Sequence, residues 1–126
     1  MLLQLARPSD YEVLQLHSSA ELQLGDLNPD FIELTHNLAV FYHEIGKPRT
    51  ALALDQRCLT LATAIGMHEC ALKSEHCLAQ VYVSMGMMEN ALECALNCAR
   101  DSTRLLGPQH ALTVQCLRLL TLCDQV

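Results

Sequence analysis

Leu38-Ala39-x-x-Tyr42-x-x-x-Gly46-x-x-x-x-Ala51-Leu52 returns 40 residues later as Leu78-Ala79-x-x-Tyr82-x-x-x-Gly86-x-x-x-x-Ala91-Leu92, with every internal spacing kept. A self-repeat of this length marks a helical array, in which a unit cannot bury its apolar face alone and does so against its neighbours. Most side chains of such an array are committed to packing. Function has to be sought among the residues that the repeat leaves free.

A second marker runs out of step with the first. Gly25, Gly66 and Gly107 are spaced by 41, each preceded by an aliphatic residue, Leu24, Ile65 or Leu106. Glycine just past an apolar helical run is a C-terminal stop, because it enters the left-handed region without a Cβ clash. Each period therefore holds two helices and two turns. The inner turns are marked by Gly46 and Gly86, and Pro48 suits the first turn of the next helix, where its missing N–H costs nothing. Six helices follow: about Ser9 to Leu24, with Ser9 or Asp10 as N-cap, then Asp30 to Ile45, Pro48 to Ile65, Glu69 to Met85, Met88 to Leu106 and Pro108 to Cys123. In the second, Leu34, Leu38, Phe41 and Ile45 form the expected apolar stripe, with Glu33, His36, Asn37 and Glu44 opposite. In the fourth, the apolar set is Leu72, Leu78, Val81, Tyr82 and Met85. No stretch alternates with period two over a strand's length. The expected fold class is all-α, a single helical-repeat domain over residues 1–126. Its parts are an unpaired helix (9–24), repeat 1 (30–65), repeat 2 (69–106) and a terminal helix (108–124).

Composition fits this reading and removes several function classes. The chain has 126 residues, 51% of them apolar, enough to fill one continuous core. Charged residues make up only 17%, which suggests apolar surface that meets a partner or the rest of a longer chain. No apolar run reaches the roughly 18 residues that cross a bilayer, and Met1 to Leu5 lacks the basic flank of a signal peptide. No membrane association is expected. A net charge of −6 with eight scattered basic residues argues against nucleic acid, which needs clustered Lys and Arg to displace counterions.

Seven cysteines show no disulfide-scaffold spacing. Cys94 and Cys98 are a turn apart, and Cys70 with Cys77, like Cys116 with Cys123, are seven apart, so each pair shares a helix face. A metal reading would enlist His68, His76 or His110. Zinc sites, however, usually present two close pairs of ligands, each around a turn, and nothing here has that form. Cysteine also packs as a small hydrophobe, and Cys58 and Cys98 hold equivalent places in the two repeats. Buried, reduced thiols are the expectation, with no metal and no cofactor, which implies a cytoplasmic or nuclear protein. No glycine-rich phosphate loop, nucleophile elbow or pair of carboxylates in apolar surroundings is evident, and the histidines fit solvated helix faces, so no enzyme activity is expected.

The Leu-Ala-x-x-Tyr pattern with its following Gly and Ala resembles the tetratricopeptide repeat, whose unit is helix A, turn, helix B. The longer period, the Leu106-Gly107-Pro108-Gln109-His110 junction, the Asn37-Leu38-Ala39 triplet and Arg57-Cys58-Leu59 are similar to the repeats of kinesin light chains. The segment from Leu106 to Asp124 also resembles the closing helix of the C-terminal domain of SET and MYND-type lysine methyltransferases. No SET or zinc-finger segment accompanies it in this sequence. Two departures are Asp55, where the kinesin-light-chain repeats prefer a bulky residue, and the absence of a closing proline at Thr63.

The resemblance implies a right-handed superhelix whose A helices line a concave groove, and a non-enzymatic adaptor that binds a protein or peptide partner there within a larger complex. Its alternative is a recruiting or regulatory fragment of a methyltransferase-like protein. By the matched positions the groove carries Glu33, His36, Asn37, Val40 and Glu44, then Lys73, His76, Cys77 and Gln80, then Val114, Arg118 and Thr121. Asn37 is placed to hydrogen-bond an extended peptide backbone, and Lys73 and Arg118 to pair with acidic groups. The first and last helices each lack a repeat partner, and the last is rich in leucine. That points to a longer array or to a homo-oligomer through the terminal helices.

Overall fold

The structure is a computed structural model that describes residues 10–124. Six helices follow one another: α1 (Asp10–Leu24), α2 (Pro29–Glu44), α3 (Pro48–Ala64), α4 (His68–Ser84), α5 (Met88–Leu106) and α6 (Ala111–Asp124). No strand occurs among the described residues. Each helix packs on the next, α4 also touches both α2 and α6, and the whole is an all-α helical repeat.

The glycines end helices as expected. At the end of α2, Lys47 N–H bonds the Tyr42 carbonyl (2.8 Å) and Gly46 N–H bonds the His43 carbonyl (3.2 Å). These are the two bonds of a Schellman motif, which needs the left-handed residue that Gly46 supplies at φ +83°. The same pair recurs after α3 through Met67 and Gly66, and after α4 through Met87 and Gly86. The next helix starts at once, so Lys47, Met67 and Met87 sit at N-cap positions without side-chain caps. The conventional cap is Asn28, whose Oδ1 accepts Asp30 N–H at 2.8 Å ahead of Pro29 at the first helical position. The cap expected at Ser9 or Asp10 falls outside the described side chains.

The last helix starts later than its sequence suggests. Residues 108–110 form a turn, and His110 caps α6: its Nδ1 accepts Leu112 N–H at 3.1 Å and its carbonyl accepts Val114 N–H at 3.0 Å. A histidine standing in for Ser or Asp at a cap leaves no composition signal.

Repeat-equivalent residues take equivalent places in the core. Ala39 and Ala79, Ala51 and Ala91, and Cys58 and Cys98 are all fully buried, and Tyr42 and Tyr82 nearly so. Small side chains on facing helices let the backbones approach, and the tyrosines fill the space between successive pairs. The Cys58 thiol donates to the Ile32 carbonyl at 3.5 Å, and the Cys98 sulfur lies 3.6 Å from the matching Leu72 carbonyl. One expectation is corrected here. Leu34, Leu38, Phe41 and Ile45 are only half-buried, and the fully packed line of α2 is Phe31, Ile32, Thr35, Ala39 and Tyr42. A helix flanked on two sides buries a broader arc than one stripe, so the largest leucines need not lie at its centre. A second correction concerns sulfur. Cys98 and Cys116 are joined as a disulfide between α5 and α6, their Cα atoms 5.9 Å apart, whereas all seven cysteines were read as thiols. Cys58, Cys70, Cys77, Cys94 and Cys123 are free thiols.

Polar groups tie α1 to the array. His17 is buried, stacks on Phe31 with ring centroids 4.7 Å apart, and bonds Thr35 Oγ1 at 2.8 Å. Thr35 uses its own proton on the Phe31 carbonyl, so the His17 Nε2–H is the donor in that bond. Burial, and then Arg57, hold the His17 ring below its ordinary pKa. Arg57 of α3 lies over the Phe31 ring and pairs with Glu21 of α1.

A Cβ added at Gly46 would meet nothing within 4 Å, so a substitution there costs backbone conformation alone. We expect Gly46→Ala to lower unfolding free energy by about 1 kcal/mol and Gly46→Asn by distinctly less, read by denaturant titration. Equal loss in both variants would exclude this explanation of the turn.

Candidate functional site

Helices α2, α4 and α6 lie side by side, and polar residues of all three line adjoining clefts. His43 Nε2 bonds Ser84 Oγ at 2.9 Å across α2 and α4, and Gln115 backbone meets the His76 ring across α4 and α6. A cleft of about 440 Å³ between α2 and α4 is lined by Glu33, His36, Asn37 and Lys73 with Met67, His68, Glu69 and Cys70. A second, of about 290 Å³, adds His76, Cys77, His110 and Gln115 to His36 and Lys73. A third, of about 420 Å³ against α6, holds His76, Gln80, Gln115, Arg118, Leu119 and Leu122. Neighbouring clefts share residues, His36, Glu69 and Lys73 between the first two and His76 and Gln115 between the last two.

Of the sequence-predicted groove residues, Glu33, Asn37, Lys73, Gln80 and Arg118 are exposed, and His36 and His76 are half-buried along this line of clefts. Val40 is half-buried on α2 and lines none of these three clefts. Burial lowers the His76 pKa, an effect that its bond to Gln115 backbone opposes.

Beneath the first two clefts lies a polar group that the sequence does not announce. Asp55 of α3 is completely buried, its Oδ1 3.2 Å from His36 Nδ1. Ser74 Oγ is 3.3 Å from the same nitrogen and donates to Cys58 Sγ at 3.0 Å. Burial raises the Asp55 pKa, and the bond to His36 pulls against that rise. Cys77 is pushed up to about 12, by burial first and then by Asp55. Cys58 and Cys70 sit with sulfurs 3.8 Å apart. Their contact raises the Cys58 pKa, a rise that burial adds to, and brings Cys70 down to about 7. The residues come from three helices, which is why no linear spacing betrays them. The only sequence signal was Asp55 itself, a carboxylate in an apolar helix register.

Residues 32–65, most of α2 and all of α3, match the tetratricopeptide repeat family. No curated protein matches the chain. The α2–α3 pair is similar to a helix A, turn, helix B unit of that family. The other copy, α4 with α5, repeats most of its buried positions.

Among the described residues two carboxylates are raised above their ordinary values: Asp55, by burial, and Glu75, to about 7, by burial and then by Asp101. Glu75 is half-buried on α4. Because its folded pKa exceeds its unfolded value near 4.5, the unfolded chain gives up this proton first as pH rises, and folding stability falls between about pH 4.5 and 7. We expect Glu75→Gln to remove that decline and to be more stable than the parent at pH 8 by about 1 kcal/mol, allowing for solvent screening at a half-exposed site. Thermal melts at pH 5 and pH 8 check it, and a parent-like difference between the two would refute the assignment.

Proposed function

We propose that the chain is a non-enzymatic interaction module that binds an extended peptide or a helix of a protein partner along α2, α4 and α6, within a larger cytoplasmic complex. The observation that supports this most is the line of adjoining clefts on those three helices, edged by exposed side chains able to donate and accept. Asn37 offers both a donor and an acceptor to a peptide backbone, which gives affinity without demanding a particular side chain. Lys73, shared by the first two clefts, and Arg118, in the third, suit acidic groups on the partner, Arg118 by paired bonds. Within the repeat class, the 41-residue spacing and the Gly107-Pro108-Gln109-His110 junction resemble the repeats of kinesin light chains.

The outer face of α1 carries a different surface. Tyr11, Leu14, Leu16 and Leu22 are 70%, 38%, 68% and 88% exposed around an open cleft of about 790 Å³. In an array that face receives another helix. On this reading a second copy of the chain covers it.

The groove is tested by a pull-down read by mass spectrometry, comparing the native chain with an Asn37→Ala, Lys73→Glu, Arg118→Glu variant of unchanged helicity. Partners lost from the variant, with affinity reduced at least tenfold in a direct titration, are the expected result. An unchanged partner list would move the site off these helices. The end face is tested by light scattering at micromolar concentration, where we expect a dimer that Leu16→Glu with Leu22→Glu converts to monomer. A monomeric parent would sink the pairing.

A further inference from the structure

Among the described residues, His36 of α2, Asp55 of α3 and Cys77 of α4 bring one donor atom each to within 4.8 Å of one another. They approach from three helices around one point, and their burial grades from complete at Asp55 to partial at His36 and Cys77.

Asp55 has one oxygen near His36, while its Oδ2 is buried with no hydrogen-bond partner. A carboxylate oxygen stripped of water and left unpaired costs free energy that nothing in the described packing returns. Nor does the packing require it: the repeat-equivalent residue is Ala95, also fully buried. The same helix-helix contact is thus made with and without the carboxylate in one molecule. The orphaned oxygen points to a ligand.

We propose that His36, Asp55 and Cys77 form a binding site for a divalent transition-metal ion of the zinc type. The donor set selects the ion. A neutral imidazole, a carboxylate and a thiolate together carry two negative charges, which a dication neutralises inside the protein. A thiolate excludes magnesium and calcium, which take oxygen ligands, and the mixed nitrogen, oxygen and sulfur set suits zinc. On binding, the Cys77 S–H gives its proton to solvent and a metal–sulfur bond forms, so affinity falls as pH falls.

The route and the geometry agree with this. His36 and Cys77 both line the cleft of about 290 Å³ between α4 and α6, so an ion enters from the groove and its remaining coordination position faces it. In a tetrahedral zinc site donor atoms lie about 3.5 Å apart, and these three already lie within 4.8 Å of one another. Ser74, already beside the His36 ring nitrogen, stays within reach of it when Asp55 turns to the metal. The sequence-level metal reading had considered His68, His76 and His110. His110 instead uses its Nδ1 to cap α6.

Cobalt(II) titration of the full chain under anaerobic conditions tests the site. We expect one ion per chain, a thiolate-to-cobalt charge-transfer band, and displacement by zinc. Cys77→Ser should abolish the band, and His36→Gln and Asp55→Asn should each weaken zinc binding at least tenfold. Asp55→Ala, which copies Ala95, covers the case in which Asp55→Asn fails to fold. Cys70→Ser should leave binding unchanged. A band that survives Cys77→Ser or is lost in Cys70→Ser would overturn the proposal, as would cobalt bound without a thiolate band, the sign of surface histidines. No saturable binding would overturn it too.

Discussion

The structure depends on the close approach of each A helix to its B helix at alanine. Ala39, Ala51, Ala79, Ala91 and Ala95 have no accessible surface. A methyl group at the crossing sets the inter-helix distance, and everything longer must arrange itself around that distance. Tyr42 and Tyr82 then fill the wedge toward the next pair, where the phenol of Tyr82 accepts from Gln56 at 3.2 Å. The thiol of Cys58 fits the small remaining gap and finds the Ile32 carbonyl. Enlarging one of these alanines would push a whole helix pair away, because an interior at crystal-like density has no slack to absorb a methylene.

That constraint explains which parts of the chain were legible in its sequence. Helix ends were, since Gly46, Gly66 and Gly86 have a local and chemically specific job that composition alone reveals. The helix order and the repeat were legible for the same reason. The buried arc of α2 was misjudged because leucine draws attention while the geometry is set by Ala39 and by Thr35, a polar residue satisfied by the Phe31 carbonyl and by His17. His17 itself reads as a solvated histidine in one dimension. Only the crossing of α1 over Phe31 makes it a buried staple. The start of α6 was missed because a histidine cap looks like any loop residue.

The polar site was less legible than the fold, and the reason is physical. Groove positions on α2 and α4 follow from the repeat register, so Glu33, Asn37, Lys73 and Gln80 could be placed by counting. Asp55, Cys77 and the sulfur contact of Cys98 with Cys116 depend on which helix faces meet across 18 to 22 residues of sequence, and no local pattern encodes that. Sequence spacing favours ligands on one helix. This chain gathers them from three.

The two copies inside one molecule separate packing from chemistry. Positions under the same packing demand should carry similar residues, and 39/79, 42/82, 51/91 and 58/98 do. Two equivalent pairs set a carboxylate against an uncharged residue that is fully buried in the other copy: Asp55 against Ala95, and Glu75 against Thr35. Those two pairs hold a carboxylate with an orphan oxygen and a carboxylate raised to about 7. Both impose a desolvation cost on a fold that its own other repeat shows to be attainable without a charge there. His36 and His76 make the complementary case. Both copies keep a half-buried ring at a position facing the clefts, where neither core packing nor solvation asks for one. Asp55 is where the polar surface of the clefts reaches, through His36, into the core of one repeat and not of the other.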